Sequence, residues 1–211
     1  EKMNTGNFTG VQIIRRVALE NSINPFLLMA LLEYKGHWVL HEPTNLAEVE
    51  YPMGMVRLEE RLLYRQLSWA VQQLNIGYYG WRAGILTELK FKDGTVKHID
   101  PKLNAGSAAI QYLFAQWYDP LEWAGALDVN NPNSFPSLMK SMFGDYLVRA
   151  QSVEPLYPAD LAQPALELPF QPGVTWGFTG GPHSAWGPDG ALAALDFAPP
   201  SEEPGCVESN E

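Results

Sequence analysis

Chemistry-bearing residues gather at two places in this chain. The first is His183, which follows Gly180-Gly181-Pro182 and precedes Asp196 with twelve residues between them. An imidazole nitrogen and a carboxylate oxygen are donors that suit Zn²⁺. A catalytic zinc keeps three protein ligands and one open position, so two donors are too few. No histidine follows His183, and His37, His41 and His98 lie far upstream. The second place is the apolar stretch Phe26–Trp38, which contains Glu33 and Lys35. A carboxyl group in apolar surroundings could serve as a general acid with a raised pKa, whereas a fixed ammonium could not play that part. Two residues along a helix is about 200° of rotation, so Glu33 and Lys35 should point in different directions.

The elements that must position these residues are mostly helices. Val11, Ile14, Val17 and Ala18 share a helical face that ends near Asn21–Ser22. Asn24 and Pro25 are suited to the cap and first position of the next helix, Phe26–Trp38. A longer helix is expected from about Leu58 to Ile76, with Leu62, Leu63, Leu67, Ala70 and Leu74 inward. Alternation between Leu86 and Ile99 around Asp93-Gly94 predicts a hairpin. Helices resume over Ala105–Trp117 and Phe135–Phe143. Beyond Ala150, recurrent prolines exclude a long helix. Leu166–Phe170, Val174–Phe178 and Ala191–Phe197 are strand candidates there, with Gly180-Gly181-Pro182 as a turn. The fold class is therefore α+β: a helical domain over 7–149, a Pro-rich linker over 150–165 and a β-rich segment over 166–211.

Charge narrows the partners. The 211 residues carry 24 acids and 14 bases, a net charge of −10, which makes nucleic acid a poor partner. From Ala150 to Glu211 there are nine acids and no Lys or Arg, a composition break that marks a domain boundary. No run of about 18 apolar residues is present to span a membrane. Glu1–Gly10 has no basic start and no apolar core, so a secretion signal is either already removed or never present. Cys206 is the single cysteine, which rules out an internal disulfide; it is either a free thiol or the partner of a cysteine elsewhere.

Two resemblances add to this reading. The run Asn24-Pro-Phe-Leu-Leu-Met-Ala-Leu-Leu-Glu-Tyr-Lys-Gly-His-Trp38 resembles the signature helix of lytic transglycosylases. Tyr51-Pro-Met-Gly-Met55, Asn75-Ile-Gly-Tyr-Tyr79 and Leu103-Asn-Ala-Gly106 follow in the order that family has them, and the likeness covers Asn7 to Met142. Aligning Ala30 without gaps puts Lys35 where the family's catalytic Glu belongs, which implies a lysozyme-like domain that has lost its acid. Such a domain implies a glycan groove, for which Tyr34, Trp38, Tyr78, Tyr79 and Trp81, with His37, are the stacking candidates; the same aromatics could equally be core residues. The stretch Phe178-Thr-Gly-Gly-Pro-His183 with Ala-Leu-Asp196-Phe-Ala-Pro-Pro200 resembles the first metal motif of lysostaphin- and staphylolysin-type endopeptidases. That likeness implies His183 and Asp196 as zinc ligands, with the third ligand and a catalytic His on a later His-x-His that these residues lack. It also implies an extracytoplasmic protein acting on peptidoglycan or a surface protein, inactive by itself, its zinc site and β segment completed by another polypeptide or a missing C-terminal half. The alternative is a non-catalytic envelope or peptidoglycan-binding component built on degenerate enzyme folds.

Overall fold

The structure, a computed structural model, describes residues 1–3, 6–152, 160, 162, 165, 167, 169–184 and 192–199. Most of the 150–165 stretch, most of Leu166–Phe170 and Cys206 therefore lie outside the described residues. The chain divides into two compact units, Glu1–Val153 and Glu154–Glu211.

The first unit opens on a short hairpin, β1 (Lys2–Met3) and β2 (Gly6–Asn7). Helix α1 (Gly10–Glu20) starts at a capping box in which Thr9 and Gln12 satisfy each other's backbone N–H groups. Its buried face is Ile13, Val17 and Ala18, with Ile14 packed partly buried against the core; Val11, expected inward, is 76% exposed in the first turn. Helix α2 (Pro25–Gly36) begins as expected, with Asn24 capping and Pro25 in the first turn. It is buried nearly all round and stops at His37, whose φ of 54° turns the chain into the left-handed region.

The segment from 37 to 62 is largely irregular, holding only α3 (Leu46–Glu50) and a 3-10 turn at Leu58–Glu60. The long helix α4 (Leu63–Arg82) starts five residues later and runs six residues further than the periodicity predicts. Leu62 is not on its inner face: it precedes the helix with φ 76° and is 45% exposed. The hairpin β3 (Glu88–Lys90) and β4 (Val96–His98) turns at Asp93-Gly94, with Leu89 opposite Lys97. Helices α5 (Ala105–Trp117) and α7 (Phe135–Phe143) occupy the predicted ranges. Between them, α6 (Pro120–Leu127) arises from a capping box of Asp119 and Glu122, and α8 (Tyr146–Ser152) follows α7.

The core of this unit is α4 packed on α5, with α1 and α2 against them. Gly77 sets the α4–α5 approach: a Cβ there would lie 2.7 Å from the Cα of Ala109. The irregular segment cannot supply its own ladder, so a buried side chain does. Gln66, fully buried on α4, accepts from the N–H groups of Met53 (3.0 Å) and Met55 (3.3 Å). It also donates to the carbonyls of Met55 and Glu60, both at 2.7 Å. A buried backbone group without a partner is costly.

The second unit contributes the antiparallel pair β5 (Gly177–Ser184) and β6 (Leu192–Ala198). Gly180-Gly181-Pro182, expected as a turn, lies within β5 at irregular register, where the ladder shifts on both sides of Gly180. The arrangement is α+β and mostly helical, as the periodicities predict.

Replacing Gln66 by Leu keeps the volume but leaves two N–H and two C=O groups of the 53–60 segment without this partner. Urea unfolding should show Gln66→Leu about 3 kcal/mol less stable than the parent chain. A change under about 0.5 kcal/mol would mean that the segment finds other partners.

Candidate functional site

In the β5–β6 pair, His183 stands opposite Ala194 and Asp196 stands opposite Gly180. Two residues along β6 separate Ala194 from Asp196, so His183 and Asp196 take neighbouring diagonal positions on one ladder. Gly180 makes room for the carboxylate: a Cβ there would meet Asp196 Oδ2 at 3.0 Å. Four rings pack beside the pair. Phe170 stacks on Trp176 at 4.6 Å and meets the edge of Phe197 at 5.0 Å, and Phe178 lies 5.7 Å from Phe197. Phe178 and Leu195 stay largely exposed. Among the described residues no group of three or more His, Cys, Asp or Glu side chains is placed to hold a metal ion.

The end of α2 carries the other chemistry. Glu33 is only 2% exposed. Its carboxylate accepts from the N–H groups of Val39 (2.9 Å) and Leu40 (2.8 Å) and pairs with His41 Nδ1. Burial pushes the Glu33 carboxyl up, but the His41 contact and the two backbone N–H groups outweigh it and hold the acid below the ordinary glutamate range. Glu33 is thus an anchor for the 37–41 turn, turned away from the direction Lys35 takes, as the helical rotation predicts. His37 Nδ1 lies 3.7 Å from Glu48, and its ring is edge-on to His41 at 6.0 Å.

Lys35 runs the other way. Its ammonium donates to Tyr118 Oη at 3.3 Å and lies over the rings of Tyr118 (4.7 Å) and Trp117 (5.1 Å). Burial lowers the Lys35 pKa, and the nearby Lys92 lowers it further. Burial raises the Tyr118 hydroxyl, with Tyr34 adding to the shift. The loop Tyr51-Pro-Met-Gly-Met55 closes on this helix end: a Cβ on Gly36 would lie 2.8 Å from the Pro52 carbonyl oxygen.

The aromatic candidates fall into two sets. Tyr34 packs on Phe114 and Phe135 and hydrogen-bonds Tyr118, while the Trp38 indole donates to the Glu48 carbonyl at 2.9 Å. On α4, Tyr78 meets Tyr79 edge-on at 5.2 Å, and Trp81 donates to the Leu103 carbonyl at 3.0 Å. Tyr79 is 63% exposed, whereas Tyr34, Trp38, Tyr78 and Trp81 are partly buried against the core. Among the described ring contacts none joins the two sets. Gln66, Tyr118, Lys92 and the role of Trp117 escaped the sequence reading; the Asp119-Pro120-Leu121-Glu122 capping box is the local signal that could have marked that neighbourhood.

Residues 3–155 match the family model described as LasA, N-terminal domain, and the chain belongs to that family. Comparisons with curated proteins and with solved structures gave no match. Among the described residues no helix is long and apolar enough to cross a membrane.

Because Glu33 has a depressed pKa in the fold, its stabilising contribution is complete above the unfolded-state value and is lost as pH falls through the folded-state value. Glu33→Gln should cost about 1–3 kcal/mol at neutral pH, and the gap should narrow at an acid pH below the ordinary glutamate range. Urea unfolding of both proteins at the two pH values checks this; a gap that persists unchanged in acid would assign the cost to packing instead.

Proposed function

We propose that this chain is part of an extracytoplasmic endopeptidase polypeptide acting on cell-wall or surface protein substrates, to which it contributes His183 and Asp196 as two zinc ligands. Membership of the LasA N-terminal domain family supports the peptidase setting. The observation that carries the site assignment is the β5–β6 register with Asp196 laid across Gly180. The donor set, one nitrogen and one oxygen, fits zinc, and the missing side chain at Gly180 fits a carboxylate held against the strand. Zinc bound there would polarise a water and the scissile carbonyl. In this reading His183 and Asp196 orient and hold, while a third ligand and a catalytic histidine come from outside these residues.

The helical unit, on this reading, is a lysozyme-like domain that binds glycan or serves as a scaffold. Lys35 in place of the acid is what supports its lack of glycosidase activity, since an ammonium beside a second lysine cannot act as a neutral carboxylic acid does. By the same logic residues 1–211 alone do not cleave peptidoglycan; zinc-dependent, EDTA-sensitive cleavage by them would overturn the reading.

The ligand assignment is tested by titrating Zn²⁺ into the chain and following the histidine ring and Asp196 resonances by NMR. His183 and Asp196 should shift together, and Asp196→Asn should weaken the His183 response at least about tenfold. Gly180→Ala, which crowds Asp196 Oδ2, should weaken it in the same direction. Shifts confined to His37 and His41 would remove the assignment. Failure to cleave after a His-x-His-bearing partner restores zinc binding would favour a non-catalytic envelope component.

A further inference from the structure

Hydrogen-bond donors outnumber acceptors where the C-terminal end of α5 meets Lys35. Trp117 is 8% exposed, and its Nε1–H is buried with no hydrogen-bond partner among the described residues. Unpaired buried donors are rare in folded proteins and call for an acceptor. The ammonium of Lys35, 5.1 Å from the centre of that indole, has three N–H groups; its one described hydrogen bond goes to the neutral Tyr118 hydroxyl at 3.3 Å. Gly54 closes another side, since a Cβ there would touch Lys35 Cε at 3.4 Å. Lys92 adds a second cation 5.9 Å from the centre of the Tyr118 ring. Glu122 is the one carboxylate found with this group, and it pairs with Lys92 at 2.9 Å. Two ammonium groups against one carboxylate leave a single positive charge without a counter-ion. Tyr34 and Tyr118, the other titratable groups facing it, are neutral phenols.

We propose that Lys35, Trp117 and Lys92 form a binding site for a carboxylate, whose oxygens accept from Lys35 Nζ and Trp117 Nε1 while Lys92 adds attraction at longer range. A monoanion matches the one uncompensated charge, and its two acceptor oxygens match two donors, the Lys35 ammonium and the unpaired Trp117 Nε1–H. A phosphate dianion would leave a charge of its own unpaired. The carboxylate comes either from a small free acid or from the C-terminus of a peptide. Either would offset the cost that burial and Lys92 impose on the Lys35 ammonium. The site is independent of the zinc assignment, and its test does not depend on cleavage.

The test uses the full 211-residue chain labelled with ¹⁵N, the Trp117 indole peak being assigned with Trp117→Phe. Acetate, N-acetyl-Ala-Ala and the C-terminal amide of that dipeptide are titrated at fixed ionic strength. Both carboxylates should move the Trp117 Nε1–H peak saturably, and the amide should not. Tighter binding of the dipeptide than of acetate identifies a peptide terminus; equal or weaker binding identifies a small acid. Lys35→Met should weaken binding about tenfold or more. Lys92→Gln, an exposed change that leaves the packing intact, should weaken it about two- to fivefold. The proposal is overturned by an absent shift with both carboxylates, by an equal shift with the amide, or by unaltered binding in both lysine variants.

Discussion

A carboxylate buried inside an apolar helix organises the end of α2. Removing Glu33 from water costs several kcal/mol unless the charge is met by donors. The chain meets it by turning back on itself: His37 enters the left-handed region, and Val39, Leu40 and His41 each send a group to the carboxylate. That turn sets where Trp38 lies, and Trp38 in turn donates to the Glu48 carbonyl at the short helix α3. The same helix end, rotated by two residues, directs Lys35 toward α5. One satisfied charge therefore fixes both the path of the irregular segment and the direction of Lys35, which lies over both the Trp117 and Tyr118 rings.

Gln66 plays the matching part from the opposite side. The chain between His37 and Leu62 has little regular structure, yet a fold must pair most buried backbone polar groups. Glu33 from α2 and Gln66 from α4 pin the two ends of this stretch, and Gly36 lets Pro52 close against α2. The scaffold behind them is the α4–α5 pair, held close by Gly77. Lys35 and Trp117 thus sit on helices whose spacing and rotation are both determined by packing, the condition under which a polar site keeps its geometry.

Local rules were enough for the elements whose caps and periods agree. Asn24-Pro25, Asp93-Gly94 and Asn104 each state their turn or cap in a few residues, and α2, the β3–β4 hairpin and α5 lie where those residues put them. The α4 start was misplaced because Leu58 and Leu62 continue an apolar period that the backbone does not follow. There the tertiary demand on the 53–60 segment, met by Gln66, overrides the pattern. Gly180-Gly181-Pro182 reads locally as a turn, but pairing with β6 extends it into a bulged strand. Of the candidate site, the His183 and Asp196 spacing was visible in the sequence, whereas the donors around Lys35 were not. Lys92, Trp117 and Tyr118 are far from Lys35 in sequence, and no short pattern announces a contact made only by the packing of α2 on α5.

The two units hold opposite chemical resources. On the zinc reading proposed above, His183 and Asp196 of the hairpin, in a base-free, acidic stretch, favour a cation. The helical unit offers N–H donors and ammonium groups, on the lysozyme-like reading proposed above, at the position where a glycosidase would keep a proton-donating acid. An acid at that position must lose and regain a proton during a cycle, so it needs a neutral form within reach. Lys35 between two aromatic rings, with Lys92 beyond, instead holds a positive charge that an anion stabilises and water reaches poorly. On that reading, lysine in place of the acid changes the kind of ligand favoured at this end of α2: a neutral glycosidic oxygen gains little from a second lysine nearby, while a carboxylate gains from both.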